Sequence, residues 1–149
     1  MRGYIKTFEE ACRKLRSNHV YVKEYEAIMH CCEGLTKDIC AYLKLRIITA
    51  ALNRECAFHR AESKYYPVFS VRTKEFADSI KEERIRQHFC CYGKRYVHVT
   101  SGISLDVMAV SPVNLSYKSC ELAEYSGQQF IAIWMDYISN KPTLTRNSK

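Results

Sequence analysis

Leu115-Ser116-Tyr117-Lys118-Ser119 runs straight into Cys120-Glu121-Leu122-Ala123-Glu124-Tyr125-Ser126-Gly127-Gln128-Gln129-Phe130. The first five residues alternate like a short strand, and the serine that closes them opens a long amphipathic helix. Ser119 is a favoured N-cap, because its hydroxyl can accept a hydrogen bond from a free amide of the first turn. Glu121 and Glu124 place negative charge against the positive end of the helix dipole. Leu122, Tyr125, Phe130, Ile133, Trp134, Tyr137 and Ile138 recur every three or four residues and form one apolar stripe. We read that stripe as core, not as a ligand platform. Gly127 costs about 1 kcal/mol relative to alanine inside a helix, so it predicts close packing against a neighbour. Pro142 and the polar residues after it end the element.

Upstream, Thr7-Phe8-Glu9-Glu10 matches a capping box and predicts a helix to about Arg16, with Phe8, Ala11, Cys12 and Leu15 inward. Ser17-Asn18-His19 breaks that pattern, and a second helix follows from about Lys23 to Cys32, before Gly34. Asp38 to Cys56 is the strongest helical segment. Ile39, Tyr42, Leu43, Ile47, Ala50 and Ala51 form its main face, Leu45, Ile48 and Leu52 widen it, and Lys37, Lys44 and Arg54 mark a narrow wet edge. Lys64 to Val71 is aromatic and β-branched, as strands are. Pro67 within it cannot donate to a ladder, which predicts an edge position or an interruption. Arg72 to Phe89 is charged, with Phe76, Ile80 and Ile85 as sparse anchors, and reads as a surface helix. Tyr96–Thr100 and Ile103–Val110 alternate with period two around Ser101-Gly102 and predict a hairpin. Pro112 separates that unit from a Val113–Tyr117 strand. This order gives an α+β fold, its helices packed on a small antiparallel sheet. Residues 1–141 are expected to form one domain and 142–149 a flexible tail.

The 149 residues are 47% hydrophobic, enough for a real core, and carry a formal charge of +7. The excess lies in the first two-thirds, because residues 101–149 hold 4 basic and 4 acidic side chains. Such a surplus favours encounter with nucleic acid, nucleotides or an acidic protein surface. No apolar leader follows Met1-Arg2-Gly3, and the longest apolar run, Ile47–Leu52, is far short of a membrane span. A cytosolic, reducing setting is therefore expected. There the 8 cysteines read as thiols or metal ligands before disulfides.

Four blocks carry a family resemblance. They are Thr7-Phe8-Glu9-Glu10-Ala11-Cys12; Ala41-Tyr42-Leu43-Lys44-Leu45 with Ile47-Ile48 and Ala51-Leu52-Asn53; Lys64-Tyr65-Tyr66-Pro67 with Phe69; and Lys118-Ser119 with Glu121-Leu122-Ala123-Glu124-Tyr125, Gly127 and Gln129-Phe130. In that order the chain resembles small uncharacterised proteins of gut Bacteroidetes-type bacteria and their phages and prophages. The resemblance implies a phage or prophage setting and brings no activity with it. It also has a gap. The relatives carry Gly-Trp and Pro-Asp-Trp between the central helix and the Tyr-Tyr-Pro strand, whereas Arg54–Ser63 here has no tryptophan. Arg72–Val110 does not match either.

His30-Cys31-Cys32, and His88 with Cys90-Cys91 and His98, are ligand types that zinc accepts, but in poor spacing for a tetrahedral site. One thiol of each pair is instead expected to be buried as a small hydrophobe. No nucleophile elbow, phosphate-cradling loop or His-Glu-x-x-His helix occurs. Glu9-Glu10 and Glu82-Glu83 are adjacent in helical stretches, where neighbours do not face each other. The chain thus reads as a non-enzyme needing no cofactor. Its best candidate binding residues are Lys64, Tyr65, Tyr66, Arg72, Arg84, Arg86, Tyr92, Lys94, Arg95 and Tyr96. There cations would meet phosphates and rings would stack on bases. The first expectation is a phage accessory protein that blocks a host defence effector or its nucleic-acid or nucleotide ligand. The alternatives are a direct nucleic-acid-binding module and a Cys/His or zinc enzyme. Monomer and homodimer are both open.

Overall fold

Two local devices start the helices that hold this molecule together. The computed structural model describes residues 4–54, 58, 62–104 and 115–139. Thr7 caps α1 (Phe8–Leu15) by accepting from the Glu10 amide at 3.2 Å, and the Glu10 carboxylate accepts the Lys6 amide at 2.6 Å. The box thus reaches back one residue beyond its cap. Ala11 and Leu15 are buried, with Phe8 and Cys12 packed beside them. Following α1, α2 (Val20–Cys31) starts three residues earlier than its periodicity predicts, because His19 Nδ1 accepts the Tyr21 amide at 3.1 Å.

The central helix, α3 (Lys37–Leu52), is about 24 Å long at the usual rise. It buries Ala41, Leu43, Leu45, Ile47, Ile48, Thr49, Ala51 and Leu52. Ile39, assigned to the inner face from sequence, is 44% exposed and lies on the wet side instead. The helix ends at Asn53, whose side chain has a second task. Its Nδ2 donates to the Ser116 carbonyl at 2.8 Å and its Oδ1 accepts the Lys118 amide at 3.0 Å. That clamp holds the Leu115–Lys118 segment against α3. The segment is not a strand among the described residues. Tyr117 makes a single antiparallel bridge to Tyr65, each amide donating to the other's carbonyl.

Three antiparallel strands, β1 (Lys64–Arg72), β2 (Phe89–Tyr92) and β3 (Arg95–Ser104), lie in the order β1-β3-β2. Pro67 is on an edge strand, as expected. The hairpin is not where the alternation placed it. β3 runs unbroken through Ser101 and Gly102, which pair with Pro67 and Tyr66. The turn is Gly93-Lys94, with Gly93 at φ +59°, the first central position where hairpin turns favour glycine. Gly102 serves another purpose, since a Cβ there would collide with the Tyr66 ring, which covers the glycine. Arg72–Phe89 is likewise not one helix. It forms α4 (Lys74–Ser79), capped by Thr73, a short α5 (Glu83–Arg86), and then the first residue of β2. Phe76 and Ile85 are exposed, and Ala77 is the buried residue of α4. The second half of the expected hairpin from Leu105 on, Pro112 and the tail 142–149 lie outside the described residues.

The C-terminal stripe folds as two helices, α6 (Cys120–Gln129) and α7 (Ile131–Ser139), broken at Phe130 with φ −110° and ψ 30°. Ser119 caps α6 by accepting the Leu122 amide at 3.3 Å. Gly127 is as close-packed as its helix penalty implied. A Cβ there would lie 2.5 Å from Val99 Cγ1 and 2.9 Å from Pro67 Cβ. Thus α6 rests its backbone on β1 and β3. The break lets α7 turn towards α3, where Tyr137 stacks on Tyr42 at 6.0 Å.

Where these layers meet sits a buried polar knot. Thr49 donates to the Tyr117 hydroxyl at 2.9 Å, that hydroxyl lies 2.6 Å from Ser126 Oγ, and Trp134 Nε1 donates to Ser126 at 3.1 Å. Full burial pushes the Tyr117 phenol up to about 12. Every named polar group in the knot has a partner, which offsets the cost of desolvating it, so the four side chains fix the relative placement of α3, α6 and α7.

Candidate functional site

The two faces of the sheet are dressed differently. Val97 and Val99 of β3 are fully buried against Met135 of α7, with Phe69, Cys90, Tyr92 and Ile131 packed around them. The residues between them point the other way. On that outer face Tyr66 pairs with Gly102, Val68 with Thr100, Ser70 with His98 and Arg72 with Tyr96, while β2 adds Phe89 opposite His98 and Cys91 opposite Tyr96. Tyr66, Phe89, Tyr96, His98 and Thr100 are partly buried, and Val68 is 38% exposed. Rings therefore line this face: the Phe89 and His98 centroids are 4.8 Å apart, and His88 approaches His98 at 6.0 Å.

One end of that face is basic. Arg72 ends β1, exposed, with its guanidinium 5.1 Å from the Phe76 ring. Lys94 in the turn and Arg95 at the start of β3 are exposed beside Tyr96. The structure thus pairs Arg72 with Tyr96 on this face, with Tyr66 farther along it and Lys94 in the turn at its end, whereas Arg95 pairs with Tyr92 and alternates onto the face of Val97. Arg84 and Arg86 are exposed on α5, just before β2.

Three other candidates from the sequence do different work. Lys64 is buried, its ammonium 3.3 Å from the Glu62 carbonyl and over the Phe58 ring. Tyr65 packs on the main core and bridges Tyr117. Both lie at the far end of β1 from Arg72, roughly 23 to 26 Å away along a nine-residue strand. Tyr92 faces inward, its hydroxyl 3.5 Å from Asp136. Sequence reasoning missed Phe89 and His98. His98 was within reach, two residues beyond Tyr96 in the same alternation. Phe89 was hidden because β2 read as the end of a helix.

Burial, then His88 and Arg72, hold His98 below the ordinary imidazole value, with Glu124 opposing. Burial pushes the Cys12 and Cys90 thiols up, and a hydrogen bond with Glu121 does the same for Cys120. Raised thiols are weak nucleophiles at neutral pH. The vicinal cysteines differ from each other. Cys90 is partly buried beneath the sheet with Cys91 exposed, and Cys31 and Cys32 are both exposed at the end of α2, so neither pair holds the buried thiol expected of it. Among the described residues no group of three or more His, Cys, Asp or Glu side chains is placed to hold a metal ion, and no helix is long and apolar enough to cross a membrane. No protein-family model, curated protein or solved structure matches this chain.

Proposed function

We propose that this protein binds single-stranded nucleic acid on the outer face of its sheet and performs no chemistry on it. The observation that carries the reading is the juxtaposition of Tyr66, Phe89, Tyr96 and His98 on one face with Arg72 and the turn residue Lys94 at its end. Every base has a π-face, so rings on a sheet hold bases without regard to sequence, while cations at the rim meet the phosphates. A mostly neutral His98 offers a ring at little electrostatic cost. In the phage setting that the resemblance implies, such a protein would act as an accessory factor by withholding nucleic acid or a nucleotide signal from a host effector.

Fluorescence anisotropy with a labelled single-stranded oligonucleotide tests this reading. Log affinity should fall with log salt at a slope of about −0.7 per phosphate neutralised. Tyr96→Ala should weaken binding by about 1–3 kcal/mol, the usual worth of a stacked base, and leave the melting temperature nearly unchanged. A flat salt response, or a Tyr96→Ala protein that binds as well as the parent, rules the reading out.

A further inference from the structure

Gly102 lies inside β3, the longest strand, where a glycine weakens the ladder. The backbone does not require one there. Its φ lies outside the left-handed region, unlike those of Gly34 and Gly93. Nor is there a bulge, because the register runs through it without a break, Tyr65 opposite Ile103, Tyr66 opposite Gly102 and Pro67 opposite Ser101. What uses the missing side chain is the ring across from it. A Cβ at position 102 would stand 2.5 Å from Tyr66 Cζ and 2.8 Å from the Tyr66 hydroxyl oxygen, so the outer end of that ring leans from β1 over β3. Among the described residues no hydrogen bond, ion pair or ring contact engages the Tyr66 side chain. Tyr66 and Gly102 are both only partly buried. Gly102 is four residues from His98 along β3, about 13 Å, so Tyr66 stands apart from the Phe89–His98 pair as a station of its own.

We propose that Gly102 is a positioning residue: with no side chain beneath it, the Tyr66 ring lies down along the sheet and offers its open π-face to an unpaired base. This inference rests on the nucleic-acid reading of the outer face. A ring laid down in advance loses little freedom when a base stacks on it, so more of the stacking energy appears as affinity. The platform selects single strands, because bases inside a duplex are already stacked on both sides. Alanine at 102 fits the strand backbone, and its methyl meets the far end of a rotatable side chain, not main chain. The ring therefore swings up and presents its edge while the strand stays in place.

A double-mutant cycle on the full-length protein, titrated with a labelled single-stranded oligonucleotide, tests this. Tyr66→Phe keeps the ring and should bind like the parent. Tyr66→Leu and Gly102→Ala should each weaken binding by about fivefold or more. Adding Gly102→Ala to Tyr66→Leu should cost nothing further, because the glycine acts through the ring. The salt slope should stay the same throughout, since no phosphate contact is touched. Thermal melting confirms that each variant is folded, and if Gly102→Ala is not, Tyr66→Phe against Tyr66→Leu decides alone. Tyr96→Ala in the same series separates the two readings. If the oligonucleotide does not bind, or Tyr96→Ala binds as well as the parent, the sheet-face reading falls and the platform with it. If Tyr96→Ala weakens binding, the platform alone is overturned by any of three results: Gly102→Ala binds like the parent, Tyr66→Leu lowers only the melting temperature, or the two losses add.

Discussion

The inner and outer faces of the sheet are built from alternate residues of the same strands, yet they follow opposite rules. On the inner face side chains pack to contact: Val97 and Val99 have no exposed surface, and the α6 backbone lies against Val99 at Gly127. On the outer face rings and cations stand partly in water, and Val68 remains 38% exposed. Such a difference separates residues that hold the fold from residues free to hold something else. It also says where substitutions should hurt.

The largest expected loss follows Trp134→Ala. The indole is 4% exposed, packs against Phe69 at 5.7 Å and donates to Ser126. Removing it leaves a cavity and opens the polar knot, so denaturant melts should show a loss of about 3–5 kcal/mol. Next is Gly127→Ala. Alanine gains about 1 kcal/mol of helix propensity, but its methyl must displace Val99 and Pro67, and overpacking of that kind costs about 1–3 kcal/mol. A net loss of about 1 kcal/mol is expected in the same assay, and a stabilised protein would show that α6 can lift off the sheet. On the outer face, Val68→Thr should change stability by no more than about 0.5 kcal/mol, as surface substitutions usually do. A larger loss would mean that this face is covered.

Acidification probes the outer face from another direction. His98 titrates below its ordinary value of 6.5 in the folded protein, mainly through burial. The unfolded chain therefore binds the proton first, and stability contributed by this group falls as pH drops below 6.5. Melting temperatures between pH 7.5 and 5 should decline for the parent and decline less for His98→Asn. Identical profiles would show that the ring at this position is not desolvated.

How far these features could be read in advance depends on the range of the interaction that sets them. The caps at Thr7 and Ser119 were legible, because a hydroxyl and an amide three residues apart decide them. Pro67 announced an edge by lacking a donor. Gly127 announced a contact by its helix cost. The stripe from Leu122 to Ile138 was legible as apolar, but its break at Phe130 was not, since nothing local disfavours a continuous helix there. Four residues of β2 carried too little periodicity to stand out from the charged segment before them. The hairpin was misplaced because Ser101-Gly102 resembles a turn until Tyr66 is seen covering the glycine. Of the candidate site, the cations at the basic end were found by composition, whereas Lys64, Tyr65 and Tyr92 proved to serve the core and Phe89 went unnoticed.

By itself, then, the sequence determined where helices begin, which strand lies at the edge and that helices pack on an antiparallel sheet, because these follow from hydrogen bonds and periodicities spanning a few residues. Tertiary structure alone decided which tyrosines face water, that Cys90 is partly covered while Cys91, Cys31 and Cys32 are exposed, and where the long C-terminal stripe bends. Those outcomes depend on strand register and on partners 20 to 70 positions away, such as Tyr117 with Thr49 and Gly127 with Val99. A side chain's face is a property of its neighbours across the fold, and no local pattern contains it.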